Sequence, residues 1–241
     1  MPHDRQPLPS FRTRAALTEL MDEPSSYEEL RDCLRDLERV NRTLLAYRPT
    51  LGWLRQFAGP AAAPLHIVDV GSGGGGMLRR IEAWARRRNV SVHLTGIDLN
   101  PHATRAAREF TGADGRIQWV TADAFAYRPQ HPVDLIVSSL FAHHLTDPEI
   151  VRFLLWMEQT AARGWFINDL SRRRVSYLLF TLLARLMRWH RFVQHDGPVS
   201  IRRSFTAEDW RGAIDRAGLA RLPVRIFATP PGRLCVARVK P

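Results

Sequence analysis

An acidic residue followed by closely spaced glycines is the stretch of this chain whose residue types point most directly to ligand binding. The stretch LHIVDVGSGGGG covers residues 65–76. The apolar run from Leu65 to Val70 lies between a proline and the glycines, which predicts a buried parallel strand. The residues from Met77 to Trp84 have the spacing of an amphipathic helix. A strand, a glycine turn and a helix N-terminus in this order direct backbone N–H groups at a ligand.

The glycine spacing fits two kinds of cofactor. Gly71-x-Gly73-x-x-Gly76 satisfies the dinucleotide fingerprint. The alternative pattern is Asp69-x-Gly71-x-Gly73-x-Gly75, in which an acid precedes the first glycine by two residues. A carboxylate at that point would repel a pyrophosphate and favours a cationic ligand. A nicotinamide-dependent oxidoreductase therefore remains an alternative that Asp69 counts against.

Two further acids follow predicted strands and would lie at the same edge of the sheet. The second predicted strand, residues 90–97, leads to Asp98, and the third, residues 116–120, leads to Asp123. An acid at the end of the second strand can accept hydrogen bonds from both hydroxyls of a ribose. The order of glycines and acids along the chain therefore favours a ligand that contains a nucleoside.

Two histidines follow the fourth predicted strand, residues 133–139. His143 and His144 would lie at the rim of the ligand pocket, and an imidazole can act as a base near neutral pH because its unperturbed pKa is about 6.5. Asp169, at the end of the fifth predicted strand, could orient one of these rings or cap the next helix. Other candidates, each equally open to a solvated surface role, are His195 in a predicted loop over the pocket, Arg202 and Arg203.

The turn that begins at Asp69 resembles the first motif of the class I S-adenosylmethionine-dependent methyltransferases, an acid-x-Gly-x-Gly-x-Gly turn around the amino-acid end of the cofactor. The resemblance implies S-adenosylmethionine as methyl donor and S-adenosylhomocysteine as product. It also implies that Asp98 binds the ribose and that Asp123 contacts the adenine amino group. The cofactor-binding residues expected from it are Asp69, Gly71, Ser72, Gly73, Gly75, Asp98, Leu99, Asp123, Ala124 and Ser138.

Shorter segments restrict this resemblance to particular groups of methyltransferases. LFAHHL, residues 140–145, resembles the corresponding loop of small-molecule C- and O-methyltransferases, including ubiquinone and menaquinone methylases. It lacks the Asn/Asp-Pro-Pro-Tyr/Phe signature of methylases that act on planar amino nitrogens. Four blocks look like a bacterial group of methyltransferases associated with type III polyketide and other phenolic products, namely residues 19–22, 36–41, 166–170 and 195–205. The implied acceptor is a phenol or related polyketide.

The elements that must position these residues form an α/β domain behind a helical extension. We predict a Rossmann-like sheet of seven mostly parallel strands that ends in an antiparallel hairpin, residues 224–227 and 234–239. Residues 1–63 are expected to form a helical N-terminal extension or cap, and residues 64–241 the methyltransferase domain. A lid helix is expected at about residues 171–195.

Apolar spacing predicts three helices in the extension, over about residues 13–23, 26–47 and 49–58. The first ten residues, rich in proline and polar groups, are expected to be disordered. The lid helix is apolar on most sides and has arginines on one. Its apolar side could line an acceptor pocket, rest on a lipid surface, or simply belong to the core.

The composition favours a cytoplasmic protein with a substantial core. The net charge of +11 would ordinarily suggest a nucleic acid or an anionic membrane. Because Lys240 is the only lysine, the charge is almost all arginine, which is typical of a G+C-rich genome, and we expect no nucleic-acid partner. Cys33 and Cys235 have no metal-like spacing, and we assign no metal ligands. We see no signal peptide and no transmembrane segment, although peripheral membrane contact stays open.

The function predicted from these features is methyl transfer from S-adenosylmethionine to a hydrophobic small molecule, at a phenolic oxygen. Transfer from a sulfonium is an in-line displacement, so a base near the acceptor would assist it. The candidate catalytic residues are His144, His143 and Asp169. Two alternatives remain, an RNA or protein methyltransferase and a non-catalytic cofactor-binding partner protein. Acceptor identity, O- or C-transfer and oligomeric state are not readable from the chain.

Overall fold

Seven strands form one sheet at the centre of the protein. The computed structural model describes residues 10–59, 64–112 and 115–241. The strand order is β3-β2-β1-β4-β5-β7-β6, and β7 runs antiparallel to both of its neighbours. The strands are β1 (Leu65–Val70), β2 (Val92–Asp98), β3 (Ile117–Thr121), β4 (Val133–Ser139), β5 (Ala161–Leu170), β6 (Val224–Thr229) and β7 (Arg233–Val239). The predicted mostly parallel sheet with its terminal antiparallel hairpin is therefore confirmed.

Within the described residues, eight α-helices surround the sheet, and the first two of them precede its first strand in the chain. They are α1 (Tyr27–Thr43), α2 (Arg48–Leu54), α3 (Gly76–Arg87), α4 (Pro101–Thr111), α5 (Asp147–Thr160), α6 (Arg174–Leu186), α7 (Arg191–Arg203) and α8 (Ala207–Arg216). Capping boxes begin α5 at Thr146 and α8 at Thr206. None of the helices in the described ranges has the length and apolar content that crossing a bilayer requires.

The alternation of side chains along β1 explains why helices pack on both faces of the sheet. Ile67 lies in a buried cluster with Ile81 of α3, whereas Val68 lies in a second cluster with Phe153 of α5 and Trp210 of α8. All five side chains are fully buried. Each burial of this kind stabilises the fold by about 1.5–3 kcal/mol. The two clusters fix the sheet so that the carboxyl ends of β1, β2 and β4 meet at one edge.

The predicted helix over about residues 13–23 is wrong. This segment forms only a 3₁₀ turn, Leu20–Asp22, and the residues before it are not helical. A side chain from elsewhere in the chain binds its backbone instead: the Asp196 carboxylate accepts the N–H groups of Leu20 and Met21. Just before the segment, the Arg172 guanidinium donates to the carbonyls of Phe11 and Arg12. The backbone N–H of Ala15 donates to the carbonyl of Arg202 in α7. These bonds hold an extended segment, residues 10–23, across α7, and we call it the N-terminal strap.

The predicted single lid helix is two helices. Arg188 adopts a left-handed conformation with φ +50°, which ends α6, and the His190 side chain caps α7 by accepting from the Phe192 N–H. Helix α7 then continues through Pro198 to Arg203. His195, predicted in a loop over the pocket, lies within α7 with an exposed ring bonded to Asp196. His195 is therefore not placed over the pocket.

The predictions for the other helices of the extension are confirmed in their main parts. The second predicted helix corresponds to α1, which Ser26 caps by accepting from the Glu29 N–H. The third corresponds to α2 and the 3₁₀ turn Arg55–Phe57 that follows it. The predicted disorder of the first ten residues and the alanine linker before β1 concern residues 1–9 and 61–63, which lie outside the described residues.

Candidate active site

The glycine turn after β1 needs glycine for both conformation and space. Gly71 has φ +69° and Gly75 has φ +77°. These angles lie in the left-handed region of backbone conformation, which residues with a side chain rarely adopt. A Cβ at Gly71 would lie 2.5 Å from the ring of Phe141, and one at Gly75 would lie 2.2 Å from the ring of Trp119. The N–H groups of Gly71 and Ser72 donate to the carbonyl of Ile97 at 2.9 and 3.0 Å. The turn is thus tied to the end of β2.

Asp98, at the end of β2, joins the glycine turn to the next helix. One oxygen accepts the Gly73 N–H at 2.8 Å and the other accepts the Asn100 N–H at 2.9 Å. Burial raises the pKa of Asp98, and the two backbone hydrogen bonds oppose that rise. The carboxyl faces the same cavity as the glycines. Its predicted position at the sheet edge is therefore confirmed, whereas the ribose contact stays a prediction.

Asp69 is a buried acid without a visible partner. The residue is 2% exposed, lines the cavity, and its Oδ1 atom has no hydrogen-bond partner among the described residues. Burial, with a smaller contribution from the charge of Asp98, raises the pKa of Asp69 well above its ordinary range. A buried unpaired carboxyl costs folding free energy unless a ligand supplies the missing partner. This atom is therefore a candidate for direct contact with a ligand.

The other residues predicted to hold the cofactor divide into two groups. Leu99, Asp123 and Ala124 line the cavity together with Ser72, and Leu99 is 74% exposed. Asp123 also accepts the N–H of Phe125 at 2.9 Å. Gly75 and Ser138 do not line the cavity. Ser138 is buried and donates to the carbonyl of Val70 at 2.9 Å, so its side chain joins two strands and is not available to a ligand.

The cavity at this edge of the sheet has a volume of about 1010 Å³. Typical small-molecule pockets measure about 300–1,000 Å³, so there is room for a cofactor and an acceptor together. The sheet edge supplies one wall, and α1, α7 and the N-terminal strap supply the opposite wall. Phe180 of α6 also lines it. The extension and the region predicted as a lid therefore both contribute to the enclosure.

Asp169 and His143 form a buried pair at the end of β5. The Asp169 carboxylate contacts His143 Nδ1 at 2.7 Å and accepts the backbone N–H of His143 at 2.9 Å. Burial alone would raise the pKa of Asp169, but the neighbouring His143 and hydrogen bonds from His143 and Leu170 outweigh it and lower the pKa. Asp169 itself is fully buried and lies behind the cavity wall. It therefore orients His143, one of the two roles predicted for it.

His144 lies nearer the open cavity and faces two acids from the N-terminal strap. Its Nδ1 atom lies 3.3 Å from Asp22, and its Nε2 atom lies 3.7 Å from Glu19. The imidazole of His143 is 4.4 Å away, centroid to centroid, and its Nε2 atom lies 3.6 Å from Glu19. The two imidazoles thus converge on one carboxylate that the sequence analysis did not single out.

The two acids of the strap differ in their electrostatic state. Glu19 is 1% exposed, and burial raises its pKa to about 7 against the opposing effects of His144 and Arg203. For Asp22, burial is outweighed by the hydrogen bonds and charges of His144 and Arg203, which lower its pKa to about 2. Arg203 contacts Glu19 at 3.4 Å and Asp22 at 3.0 Å. We call Glu19, Asp22, His143, His144 and Asp169 the histidine–carboxylate cluster.

Arg233 is a second cavity residue that sequence reasoning missed. It is 3% exposed, and its Nη1 atom has no hydrogen-bond partner within the described part of the chain. Its Nη2 atom contacts the side chain of Asn41 at 3.5 Å. Burial lowers the pKa of Arg233, while the charge of Asp169 counteracts this. An arginine in a β-strand gives no sequence signal for this role, since strands carry many solvated arginines.

The sheet order, the antiparallel β7 and a glycine turn flanked by acids at the ends of β1 and β2 define the Rossmann-like fold of the class I methyltransferases. Sequence comparison agrees, because residues 67–164 match the family described as "Methyltransferase domain". The class predicted from the glycine turn, the S-adenosylmethionine-dependent methyltransferases of class I, is therefore confirmed at the level of this domain.

Two curated relatives carry the same name. A trans-aconitate 2-methyltransferase of Streptomyces avermitilis is 36% identical over 132 residues, which cover 52% of this chain and 47% of that protein. A trans-aconitate 2-methyltransferase of Azoarcus sp. is 33% identical over 94 residues, 36% of this chain and 34% of that protein. The chain thus spans about half the length, or less, of the curated relatives it matches.

Solved methyltransferases share the fold at low sequence identity. The plantazolicin methyltransferase BpumL, solved with S-adenosylhomocysteine, aligns with a TM-score of 0.61 at 15% identity and covers 88% of this chain and 96% of its own. Human N-acetylserotonin methyltransferase, solved with S-adenosylmethionine, aligns with a TM-score of 0.59 at 15% identity, over 89% of this chain and 56% of its own. These likenesses establish the architecture.

Proposed function

We propose that this protein transfers a methyl group from S-adenosylmethionine to a hydrophobic small molecule. The observation that carries the cofactor assignment is Asp69, a buried acid on the cavity wall whose Oδ1 atom has no partner among the described residues. The α-ammonium group of S-adenosylmethionine would supply the missing hydrogen-bond donors. A dinucleotide would instead bring a pyrophosphate of like charge beside Asp69 and Asp98. The residues therefore fit the sulfonium cofactor better than a nicotinamide.

The remaining cofactor contacts follow from the same edge of the sheet. We assign Asp98 to the ribose hydroxyls, Asp123 to the adenine amino group, and Leu99 to the exposed apolar contact with the nucleoside. The glycine turn allows the close approach of the amino-acid end, since Gly71 and Gly73 carry no side chain. The glycines and the three acids are all present, which disfavours a non-catalytic partner protein that merely retains the fold.

The acceptor that suits the histidine–carboxylate cluster is a weakly acidic hydroxyl, and we propose a phenol. A phenol has a pKa of about 10, so a neighbouring base raises the fraction of the more nucleophilic phenolate at neutral pH. S-adenosylmethionine supplies an activated methyl group on its sulfur. Helices α1 and α7 must hold the acceptor oxygen in line with that bond. His144, which lines the cavity, is the proposed base, and Asp169 acts through His143 as a positioning residue.

A second line of support comes from the four blocks that resemble methyltransferases of phenolic products. Each block contributes residues to the cavity wall: Glu19 and Asp22 from the first, Glu38 and Asn41 from the second, Leu170 from the third, and Asp196 and Ser200 from the fourth. The blocks are far apart in the sequence, and one cavity gathers them. This supports an acceptor of the phenolic class, and it supports the proposal that the described part of residues 1–63 caps the domain predicted over residues 64–241.

A carboxylate acceptor is a second candidate, which Arg233 favours. Its buried Nη1 atom has no hydrogen-bond partner among the described residues and belongs to a residue that lines the cavity, where it could bind one carboxylate of an anionic acceptor. The curated relatives are named for the methylation of trans-aconitate. Methyl ester formation from trans-aconitate, absent in the Arg233→Gln variant, would favour this candidate over the phenol.

We also propose that the outer face of α6 rests on an anionic lipid surface. Six large apolar side chains of this region are exposed: Val175, Leu178, Leu179, Leu182, Leu186 and Met187. Exposed arginines flank them at positions 173, 174, 185 and 188. An apolar stripe bordered by cations is the pattern of an interfacial helix. Phe180, on the inner side, lines the cavity, so a hydrophobic acceptor has a short path from the lipid to the site.

Calorimetric titration with S-adenosylmethionine, S-adenosylhomocysteine and NAD tests the cofactor. We expect binding of the two adenosyl compounds alone, with weaker binding to Asp98→Ala. Binding of NAD alone would contradict the proposal. Binding of S-adenosylhomocysteine without methyl transfer to any member of a panel of labelled phenols and carboxylates would favour the non-catalytic alternative.

A further inference from the structure

Three side chains from two separate parts of the chain direct donor atoms at one point in the cavity wall. The carboxylate of Glu19 in the N-terminal strap lies 3.6 Å from His143 Nε2 and 3.7 Å from His144 Nε2. The three donor atoms all lie within 4.8 Å of one another. Around a bound Zn²⁺ with bonds of about 2.0–2.2 Å, donors are separated by roughly 3–3.5 Å, so a small inward movement would complete the set.

The opposite nitrogen of each ring is already engaged. His143 Nδ1 lies 2.7 Å from Asp169, and His144 Nδ1 lies 3.3 Å from Asp22. The contact of each Nδ1 atom with a carboxylate holds the ring so that its Nε2 atom is directed toward Glu19. Metal-binding histidines are typically oriented in this way by a carboxylate on the far side of the ring. Both rings are therefore prepared as ligands before an ion binds.

The charge around the three donor atoms also suits a divalent cation. The carboxylates of Glu19, Asp22 and Asp169 contact the two imidazoles, and within the described residues one guanidinium, that of Arg203, contacts two of these carboxylates. Three carboxyl groups and one guanidinium therefore surround the two imidazoles, so the acidic groups outnumber the basic one at this point. Because Glu19 is 1% exposed, water screens the charge of its carboxyl group only weakly.

We infer that Glu19, His143 and His144 bind one divalent transition-metal ion of the zinc type. Two imidazoles and one carboxylate are the ligand set that Zn²⁺ and neighbouring transition metals use when a coordination position stays open, whereas Mg²⁺ and Ca²⁺ prefer oxygen ligands. His143 and His144 lie on the cavity wall, so the open position faces the space for the acceptor. The inference deepens the proposed function, on which it rests: the ion would bind the acceptor oxygen and favour its ionised form, and it would thereby take over the role that is otherwise proposed for an unligated His144 as base.

The test is metal binding by the full chain, measured apart from catalysis. The protein is stripped with a chelator and titrated with Co²⁺, whose visible absorption reports a nitrogen and oxygen ligand set, then with Zn²⁺ and with Mg²⁺. We expect one equivalent of Co²⁺, its displacement by Zn²⁺ and no displacement by Mg²⁺. His143→Ala, His144→Ala and Glu19→Gln should each weaken Co²⁺ binding by at least about 10-fold. His93→Ala, an exposed histidine at the far end of β2, serves as the matched control.

The outcomes separate this inference from the proposed function. Titration of the same samples with S-adenosylhomocysteine, together with their melting temperatures, shows whether each variant is folded and holds the cofactor. Normal cofactor binding without Co²⁺ binding would overturn the metal site and leave the methyltransferase proposal intact. Co²⁺ binding that the three variants do not weaken would place the ion elsewhere and would also overturn the inference. Co²⁺ binding without cofactor binding would contradict the proposed function alone.

Discussion

Asp69 shows how one residue can favour ligand binding at the expense of stability. Its carboxyl is buried, its Oδ1 atom has no partner among the described residues, and Asp98 lies close enough to disfavour its ionised form. Burial of such a group destabilises the ligand-free fold, and a cationic ligand would remove the cost on binding. Functional sites often retain this kind of unfavourable group.

We therefore expect Asp69→Asn to stabilise the ligand-free protein and to weaken cofactor binding. The pKa of Asp69 is raised in the folded chain, so the protonated side chain contributes most to stability below its ordinary pKa of about 3.9. This contribution to the free energy of unfolding is lost as the pH rises through the pKa of Asp69 in the folded protein. The variant should melt about 2–4 °C higher at alkaline pH, with the gain shrinking toward pH 4. Its affinity for S-adenosylhomocysteine should fall about 10-fold or more. A lower melting temperature at alkaline pH, or unchanged affinity, would contradict this account.

The two adjacent histidines occupy different environments. His143 is 3% exposed and is held on both its ring and its backbone by Asp169. The side chain of His144 is 23% exposed and contacts the strap. The sequence predicts a histidine pair at this rim but does not distinguish the two, since their neighbours come from residues 19–22 and β5. The more accessible ring is the better candidate for proton exchange with an acceptor.

His144→Ala should therefore reduce turnover with a phenolic acceptor far more than it reduces cofactor affinity. General-base catalysis typically contributes about 10²–10⁴-fold, and we expect a loss of kcat in that range. Single-turnover methyl transfer gives the rate, and titration with S-adenosylhomocysteine gives the affinity. The exposed His93→Ala variant is the control for loss of an imidazole. Full turnover in His144→Ala would exclude this residue as the base.

At the scale of elements, the sequence correctly predicts those strands and helices that depend only on residues close together in the chain. The strands β1 and β4 have the predicted bounds, because each is a short apolar run between turn residues. The prediction of a helix over about residues 13–23 is wrong because α7 binds the backbone of this segment, through the Asp196 carboxylate and the Arg202 carbonyl. The break between α6 and α7 is not predictable from spacing, since apolar residues continue across Arg188 without a glycine or proline.

The functional role of the strap is also a tertiary effect. Glu19 and Asp22 reach the two histidines because Asp196 of α7 accepts the N–H groups of Leu20 and Met21 at 2.8 and 3.1 Å. No spacing rule links residues so far apart in the chain. The available signal was the resemblance of residues 19–22 and 195–205 to one group of methyltransferases, and these two blocks prove to be in contact. Resemblance of distant blocks thus carried information that periodicity did not.

We expect Asp196→Ala to release the strap while leaving the domain folded. Loss of the carboxylate leaves two backbone N–H groups without their acceptor, which should raise hydrogen exchange at Leu20 and Met21 and expose Arg12 and Arg14 to trypsin. KM for the acceptor should rise and kcat should fall, with cofactor affinity unchanged. Asp196→Asn keeps one acceptor oxygen and should give an intermediate effect. Unchanged exchange and proteolysis in Asp196→Ala would show that other contacts hold the strap.

At the scale of the whole molecule, the arginines that give the net charge of +11 serve two purposes. Some are structural: Arg172 is 5% exposed and binds the strap, and Arg203 binds Glu19 and Asp22. Others are exposed along α6, beside its apolar stripe. An anionic surface would attract these exposed cations, and the apolar stripe would then be withdrawn from water. Part of the positive charge thus lies where an apolar surface is also exposed, a combination that suits a lipid surface.

Vesicle binding decides between the partners that this surface could have. We expect the protein to sediment with vesicles of mixed phosphatidylcholine and phosphatidylglycerol, and to remain free with phosphatidylcholine alone or at high salt, because both the charge and the apolar stripe are required. Leu179→Glu and Leu182→Glu should abolish sedimentation. Leu155→Glu, a partly exposed leucine of α5, is the matched control.

If light scattering instead shows a dimer that the two α6 variants dissociate, a second copy of the chain covers the stripe. If RNA binds in a salt-sensitive way and displaces the vesicles, the basic surface binds a nucleic acid, and the lipid proposal is contradicted.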